Sequence, residues 1–284
     1  LRMREPLTDK IFSADGIEVA IHDYGGPGHP TVFLHGTGLV SRMWEPVMEL
    51  LGSNFRPIGV DLRCHGSARS SPEAQFYDHC MATDLIAVID ALGLSQAWVV
   101  GHSMGAATSL LATLDRPQAF EKAWVYEPII FQREAERSVG AFDFIEAAKR
   151  RRSVFPSRDE VITRYGSRFP LNELHPSCLE AYVQHGFEQQ PNTEIKLICD
   201  PILEARAFEQ FLQDGWDKLP LITVPTRVAF GTDSDQQPLQ SACEAIALRL
   251  PRGEANPFEG SKHFGCFGPL QKSAQSIKDW FLAD

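Results

Sequence analysis

The chain has 284 residues, of which 43% are hydrophobic and 23% charged, proportions typical of a globular protein with a sizeable core. Its formal net charge of −10 argues against nucleic acid or an anionic membrane surface as the main partner. The six cysteines form no C-x-x-C pair and show no metal-type spacing with histidine, which predicts reduced thiols in a cytoplasmic protein. The first residues are polar and charged, and no apolar run has membrane-spanning length, so the sequence predicts neither a signal peptide nor stable membrane association.

Short apolar runs alternate with amphipathic stretches in the first half of the chain. The segment 10–23 is typical of a β-hairpin that turns at Ala14-Asp15-Gly16. Buried strands are predicted at 31–34, 55–60, 97–100 and 123–126, and helices at 41–51, 77–92 and after residue 105. This alternation predicts an α/β fold with a mostly parallel, doubly wound sheet and right-handed crossovers.

The rhythm changes between about Phe131 and Leu219. Mainly helical stretches follow one another there, at 141–152, 159–165, 176–186 and 202–213, and strand-like runs are few. The α/β alternation resumes with a strand at 226–231 and helices at 239–250 and 270–282. The sequence therefore predicts a core formed by 1–130 and 221–284, with 131–220 inserted as a helical cap over the active-site edge.

One five-residue segment, Gly101–Gly105, has the pattern G-x-S-x-G around Ser103. An aromatic and β-branched strand leads into it, and an Ala/Leu-rich helix follows it. A strand that turns sharply into a helix needs small residues on either side of the apex and raises the apical hydroxyl at the helix N-terminus. This context predicts a nucleophile elbow with Ser103 as the nucleophile. The alternative is a strand–helix turn without chemistry.

A glycine-rich loop, 35–38 (His-Gly-Thr-Gly), follows the predicted strand at 31–34. Its backbone amides can point at the nucleophile, so the amides of Thr37 and Met104 are predicted to form an oxyanion hole. An ordinary tight turn is the alternative. The expected pocket residues are His35, Gly36, Gly38 and His102. The segment 61–66 is expected to brace the loops around the elbow.

His263 lies in a loop between the last strand-like region and the last helix. It follows the serine in chain order and occupies the final loop, where a general base has to lie. An isolated loop histidine is more often a surface residue, but the elbow favours His263 as the catalytic base.

These motifs, in this order, resemble those of capped α/β-hydrolase-fold serine hydrolases, and the similarity covers essentially the whole core. It rests on 35–38, 61–66, 101–105 and His263. One departure is Cys64, where the related loop usually carries glycine (D-x-R-G-H-G), and this is expected to alter a supporting turn. Because the nucleophile is Ser and not Asp, the resemblance disfavours the haloalkane dehalogenase and epoxide hydrolase branches, which form an alkyl-enzyme ester on a carboxylate.

The resemblance implies a serine esterase mechanism with a Ser-His-acid triad, in which Ser103 attacks a carbonyl and His263 accepts its proton. Such a mechanism needs no metal and no organic cofactor. The expected partner is a small-molecule ester, lactone or related acyl compound. Two alternatives remain open: a C–C bond hydrolase of the meta-cleavage type, and a hydrolase-derived ligand-binding protein with little turnover.

The acid of the triad departs from the usual arrangement. Most relatives place it after the strand that follows the cap, as G-x-x-D, but here the third residue after Gly231 is Ser234. Asp233 and Asp235 each miss that position by one residue. Glu127, at the end of the strand after the elbow helix, is the favoured candidate, because His263 would be a partner for a buried carboxylate there. Asp233 is the first alternative.

A basic run, 149–152 (Lys-Arg-Arg-Arg), ends a predicted cap helix. Positive charge at a helix C-terminus suits the helix dipole, so a solvated helix end explains the run. The functional hypothesis is that one arginine faces the pocket and binds a substrate carboxylate through two hydrogen bonds.

Overall fold

The centre of the molecule is a twisted sheet. The computed structural model describes residues 4–132, 141–210, 215–234 and 239–283. Within these ranges the main sheet has eight strands: β1 (Leu7–Phe12), β2 (Glu18–Asp23), β3 (His29–Leu34), β4 (Phe55–Asp61), β5 (Ala97–His102), β6 (Phe120–Tyr126), β10 (Thr226–Gly231) and β11 (Gly253–Phe258). Their order is β1-β2-β4-β3-β5-β6-β10-β11. β2 runs antiparallel to β1 and β4, and the remaining pairs are parallel, which confirms the predicted mostly parallel sheet.

The described ranges contain nine α-helices. They are α1 (Glu45–Met48), α2 (Asp78–Ala91), α3 (Met104–Asp115), α4 (Ala141–Lys149), α5 (Arg158–Gly166), α6 (Pro176–His185), α7 (Pro201–Gln210), α8 (Leu239–Arg249) and α9 (Leu270–Phe281). Successive residues of β5 serve opposite faces: Val99 belongs to the buried cluster that includes residues of α2, α3 and α8, and Val100 to the cluster that includes residues of α1 and α9. This alternation follows from the two-residue repeat of a strand and gives the doubly wound architecture.

The segment between β6 and β10 contains a second, small sheet as well as helices. β7 (Val154–Phe155), β8 (Phe187–Gln189) and β9 (Ile195–Leu197) are antiparallel, with β9 in the middle. The sequence predicts mainly helices here, and strands of two or three residues are too short to show an alternating pattern. α4 packs on α7, where the rings of Phe144 and Phe208 stack 5.8 Å apart.

Two elements differ from the sequence-based prediction. The helix expected at 41–51 is a 3₁₀ turn, Ser41–Trp44, followed by the short α1. Pro46 has no N–H to donate to the carbonyl of Arg42, so regular helical bonding starts again at Glu45. β11 was not predicted, because its residues Gly253, Asn256 and Pro257 are poor strand formers. It is an edge strand whose pairing with β10 overrides its local preference.

All six cysteines are unpaired thiols. Among the helices in the described ranges, none is long and apolar enough to cross a membrane.

The loop after β4 is tied to the rest of the core by Asp61. One oxygen of its buried carboxylate accepts hydrogen bonds from the backbone N–H and hydroxyl of Ser41, both at 2.7 Å. The other accepts from the N–H of Ser67 at 2.8 Å and from His22 Nε2 at 3.0 Å. Burial opposes ionisation of Asp61, but the hydrogen bond and charge of His22 outweigh it and lower its pKa. Cys64 has φ +65°, a conformation that favours glycine, so a residue with a side chain takes a strained backbone conformation in the supporting turn.

Gly66 in this loop cannot carry a side chain without disturbing Asp61. Its φ is +48°, and a Cβ there would overlap the Asp61 carboxylate. Gly66→Ala is expected to cost roughly 1–3 kcal/mol of overpacking beyond the backbone strain, measured as the free energy of unfolding in urea. Gly93→Ala is the matched control: its φ is +59° and the space around it is open, so only about 1–2 kcal/mol of backbone strain is expected. Equal losses in the two variants would contradict this account of Asp61.

Candidate active site

Ser103 lies at the apex of a sharp turn between β5 and α3. Its backbone has φ +55° and ψ −115°, an unusual conformation for a residue with a side chain. A Cβ on Gly101 would come within 2.6 Å of the Gly105 carbonyl oxygen, and a Cβ on Gly105 within 2.5 Å of the His35 carbonyl oxygen. The two glycines therefore allow the close approach of strand, helix and loop that raises the Ser103 hydroxyl above the sheet.

A continuous series of hydrogen bonds joins Glu127, His263 and Ser103. His263 Nε2 lies 3.2 Å from Ser103 Oγ, and His263 Nδ1 lies 2.6 Å from Glu127 Oε2. Glu127 is fully buried, whereas the His263 side chain is 13% exposed. The imidazole thus faces the hydroxyl with one nitrogen and the carboxylate with the other. This arrangement can take a proton from Ser103 and stabilise the resulting imidazolium.

The structure pairs His263 with Glu127 rather than with Asp233. Glu127 directly follows β6, with φ +45°, and its N–H donates to the Ala229 carbonyl at 2.9 Å. Its second carboxylate oxygen accepts a hydrogen bond from the N–H of Gly231 at 2.9 Å. Asp233 is exposed, and its carboxylate lies 3.3 Å from the Thr232 hydroxyl. Asp235, the other candidate, lies outside the described residues.

Tyr126, the last residue of β6, holds the loop that carries His263 through a hydrogen bond. The Tyr126 hydroxyl donates to the carbonyl of Lys262 at 2.8 Å. A Cβ on Gly265 would overlap this hydroxyl, so glycine is needed there. The sequence predicts neither Tyr126 nor the N–H of Gly231 as part of the site, because each hydrogen bond joins a side chain to a backbone group that only the fold brings beside it.

Thr37 and Met104, the expected oxyanion residues, meet beside Ser103. The Thr37 hydroxyl lies 3.4 Å from the Met104 sulfur. Met104 is the first residue of α3, where backbone N–H groups have no partner within the helix. An amide at this position can bind a negatively charged oxygen next to the nucleophile.

A cavity of about 340 Å³ opens above Ser103 and His263. Its lining comes both from the core and from the segment between β6 and β10, and it is mostly apolar. The apolar lining residues are Leu39, Ile129, Phe131, Phe144, Ala147, Ala148, Pro170, Leu171, Phe208, Leu239 and Phe264. A pocket of this composition suits a small, largely apolar ligand held by few polar contacts.

Two of the four expected pocket residues, Gly36 and His102, line this cavity, while His35 and Gly38 do not. His35 is a buried support: its Nδ1 donates to the Gly36 carbonyl at 2.8 Å, and its Nε2 accepts from the N–H of Leu62 at 3.1 Å. His65 is bonded in the same way, since its Nδ1 donates to the Arg63 carbonyl and its Nε2 accepts from the N–H of Gly38 at 3.0 Å. Both rings must therefore be neutral, because a protonated Nε2 could not accept these bonds.

Three buried histidines have lowered pKa values. Burial lowers the pKa of His35, and burial with the neighbouring His35 lowers that of His65 to about 3. Burial and the adjacent His263 lower the pKa of His102 well below its usual range. The His102 Nε2–H donates to the His263 carbonyl at 2.9 Å. These rings are neutral in the fold, but they bind protons once the chain unfolds.

Acid is therefore expected to destabilise the fold before the carboxylates titrate. Below the ordinary histidine pKa of about 6.5, the unfolded chain binds more protons than the folded chain. Each ring that stays neutral in the fold therefore lowers the free energy of unfolding by up to about 1.4 kcal/mol per pH unit. We expect Tm to be nearly constant from pH 8 to 7 and to fall steadily from pH 6.5 to 5. His65→Gln should reduce the slope, whereas the exposed His79→Gln should not. A Tm that does not change between pH 8 and 5 would contradict this prediction.

Arg151 is the residue of the basic run that lines the cavity. Its neighbours point elsewhere: Lys149 pairs with Glu146 at 3.0 Å, and Arg152 pairs with Glu160 at 2.8 Å. Arg151 binds a carboxylate of this chain instead of a substrate: its Nη1 donates to both carboxylate oxygens of Glu204 on α7. No sequence pattern indicates Glu204, which lies 53 residues away on another helix.

Known proteins are similar to this chain in sequence over most of its length. A non-heme haloperoxidase of Rhodococcus erythropolis is 26% identical over 266 residues, covering 90% of this chain and 93% of the relative. The (E)-2-((N-methylformamido)methylene)succinate hydrolase of Acinetobacter baylyi is 22% identical over 259 residues, covering 90% of this chain and 91% of the relative.

Solved structures share the fold over almost the whole chain. The crystal structure of an E-2-(acetamidomethylene)succinate hydrolase is 20% identical, with a TM-score of 0.83 and coverage of 98% of this chain and 100% of the other. A thermophilic esterase from Thermogutta terrifontis is 24% identical, with a TM-score of 0.73 and coverage of 97% and 98%. The model of the alpha/beta hydrolase family matches residues 31–272. The chain therefore belongs to the alpha/beta hydrolase family.

Proposed function

We propose that this protein is a serine hydrolase that cleaves an ester, lactone or related acyl bond of a small molecule through an acyl-enzyme on Ser103. The observation that carries the proposal is the series of hydrogen bonds from Glu127 through His263 to Ser103, at 2.6 Å and 3.2 Å. These bonds end at a hydroxyl on the wall of an apolar cavity. A protein that only bound its ligand would need neither the buried carboxylate nor the strained serine.

In the first half of the reaction, Ser103 Oγ attacks the acyl carbonyl while His263 Nε2 accepts the hydroxyl proton. Glu127 keeps the remaining N–H of the ring on Nδ1 and stabilises the imidazolium. The negative charge on the carbonyl oxygen is held by the amides of Thr37 and Met104. The bond to the leaving group then breaks, and the leaving group takes the proton from His263.

In the second half, water replaces the leaving group. His263 accepts a proton from the water as its oxygen attacks the acyl carbon, and a second tetrahedral intermediate forms in the same oxyanion hole. The Ser103–acyl bond breaks, Ser103 regains its proton from His263, and the carboxylic acid product leaves. The cycle uses the substrate, water, the side chains of Ser103, His263 and Glu127, and the two oxyanion amides.

The inserted segment, 131–220, acts in this proposal as a cap. Residues Ala147, Arg151 and Phe208 of this segment line the same cavity as Ser103, so a bound substrate would be enclosed between cap and core. Enclosure removes water from the acyl carbon and strengthens the contribution of the oxyanion amides.

Three of the four proteins named above are described as hydrolases or esterases, which supports hydrolysis. One solved structure is described as an esterase, and two relatives are described as hydrolases of amidomethylene succinates. Cleavage of an activated C–C bond would use the same serine, histidine and carboxylate, so it is the second candidate.

Hydrolysis of a substrate panel by the purified protein tests the proposal. The panel holds p-nitrophenyl esters of C2 to C8 acyl chains, aliphatic lactones and a vinylogous 1,5-diketone, with Ser103→Ala as the blank. We expect turnover of esters, with a burst of p-nitrophenol that shows acyl-enzyme formation. Turnover of the diketone alone would select C–C cleavage. Ligand binding without turnover of any panel member would overturn the proposal in favour of a binding protein.

A further inference from the structure

An ion pair between Arg151 and Glu204 lines the cavity away from the nucleophile. Apart from the histidines beside Ser103, Arg151 and Glu204 are the charged residues among the described residues that line it. The Arg151 side chain is 17% exposed and that of Glu204 is 8% exposed. An ion pair at this depth is unusual in an apolar pocket, because removing both charges from water is costly.

The hydrogen-bonding capacity of Arg151 is almost fully used within the chain. Its Nη1 donates to both carboxylate oxygens of Glu204, at 2.8 Å and 2.7 Å. Its Nη2 donates to the Tyr182 hydroxyl, and its Nε lies 3.4 Å from the Tyr165 hydroxyl. Both tyrosine rings also lie against the guanidinium, with centroids 5.6 Å and 6.0 Å from Cζ. The donors that would bind a substrate carboxylate are therefore already occupied.

Glu204 is held in this position by the loop that carries Thr37. The Tyr182 hydroxyl donates to the Gly38 carbonyl at 2.9 Å. Gly38 has φ +74°, and a Cβ on it would overlap Glu204 Oε1, so the carboxylate packs directly on the backbone of this loop. Arg151 and Glu204 are thus parts of one packed cluster with Tyr165 and Tyr182, and this cluster contacts the loop that carries Thr37.

We propose that Glu204 makes the cavity selective for uncharged acyl substrates by occupying the carboxylate-binding face of Arg151. This inference rests on the proposed acyl transfer for its kinetic test. The pair has no net charge, so a neutral hydroxyl or carboxamide can hydrogen-bond to it. A substrate carboxylate would instead meet Glu204 and find no free pair of donors on Arg151. The substrate class is an uncharged, largely apolar acyl compound with a neutral polar group at the end remote from the scissile bond.

The first test compares two series of p-nitrophenyl esters whose acyl chains match in length. One series consists of the monoesters of succinate, glutarate and adipate, and the other carries a terminal carboxamide in place of the carboxylate. A hydrogen bond to a charged group is worth about 10- to 100-fold, so the carboxamide esters should have the higher kcat/KM by at least about tenfold.

Glu204→Gln should shift this preference by at least about tenfold towards the carboxylates, mainly through a lower KM for the carboxylate esters. It removes the competing charge and leaves Arg151 free to bind an anion. Glu160→Gln is the matched control. It removes the equal charge of Glu160, which pairs with Arg152, and the Arg152 side chain is 43% exposed. This substitution should leave the preference unchanged.

A second variant covers the case in which Glu204→Gln fails to fold. Arg151→Gln/Glu204→Gln removes both charges, so no unpaired charge is buried, and the double variant should keep the preference for the carboxamide esters. An equal kcat/KM for the two series in the unmodified protein would overturn the inference. A folded Glu204→Gln variant with an unchanged preference would overturn it as well.

A binding measurement separates this inference from the proposed function. Isothermal titration of the Ser103→Ala variant with phenylacetate, 3-phenylpropionate, 4-phenylbutyrate and their primary amides requires no turnover. The amides should bind and the carboxylates should not, with the order reversed in Ser103→Ala/Glu204→Gln. If this pattern appears but no ester is hydrolysed, the proposed function fails and the selectivity stands. If esters are hydrolysed but the amides do not bind, or bind no better than the carboxylates, the selectivity fails alone.

Discussion

Ser103→Ala is expected to lower kcat by at least about 10³-fold, because it removes the hydroxyl that forms the acyl-enzyme in the proposed reaction. Ser103 Oγ is the atom that His263 Nε2 faces, at 3.2 Å, and it lies on the wall of the cavity. Alanine removes this oxygen and leaves the hydrogen bond between His263 and Glu127 in place. The residual rate should reflect only substrate binding and the oxyanion amides. Ester hydrolysis under saturating substrate measures the effect.

Ser109→Ala is the matched control for this substitution. Ser109 is a buried serine on α3, the helix that follows Ser103, and its hydroxyl donates to the Gly105 carbonyl at 2.7 Å. Its replacement should reduce stability slightly and leave kcat within about threefold of the unmodified protein. If Ser103→Ala kept most of its activity with an unchanged Tm, Ser103 would not be the nucleophile.

Glu127→Gln is expected to lower kcat by about 10²- to 10⁴-fold while the fold is retained. The carboxylate accepts the proton of His263 Nδ1 at 2.6 Å and so keeps the Nε2 lone pair directed at Ser103. A glutamine that bonds the Gly231 N–H through its oxygen presents its NH₂ group to Nδ1. The ring would then carry its proton on Nε2, where it can no longer accept the proton of Ser103.

Asp233→Asn is the comparison that separates the two candidate acids. Asp233 is exposed and bonded near Thr232, so its substitution should change kcat by less than about threefold. A large loss in Asp233→Asn together with a small loss in Glu127→Gln would transfer the role of the acid to Asp233.

The elbow could be predicted because its constraints are local. Gly101 and Gly105 lie two residues from Ser103, and the close contacts that require them involve the strand, the helix and one neighbouring loop. The mostly parallel sheet could be predicted for a related reason, since buried strands appear as short, continuous apolar runs. β11 is polar and lies at the edge, so it carries no such pattern.

The role of Glu127 is harder to predict than the elbow, because its position beside His263 depends on how two neighbouring strands end. β6 and β10 are neighbours in the sheet, and the N–H of Gly231 on β10 meets the carboxylate that follows β6. The sequence shows that Glu127 ends a strand, but only the sheet order brings it next to His263. The G-x-x-D pattern fails here because Ser234 stands in the place of the acid.

The pairing of Arg151 with Glu204 could not be predicted at all. The basic run 149–152 offers several equivalent cations, and the packing of α4 on α7 decides which one faces the cavity. Glu204 lies on α7, and the sequence of this helix is equally compatible with a glutamate that faces solvent. A hypothesis of carboxylate binding by an arginine of this run follows from the sequence, whereas the occupied donors of Arg151 follow only from the fold.

Covalent labelling with a fluorophosphonate tests the central claim most directly, because the reagent reacts with an activated serine and needs no knowledge of the substrate. We predict that intact-mass analysis will show one adduct per chain, that peptide mapping will place it on Ser103, and that ester hydrolysis will fall in proportion to labelling. Ser103→Ala should remain unlabelled, and Glu127→Gln should label far more slowly. Full hydrolytic activity in protein whose Ser103 is completely labelled would contradict the account.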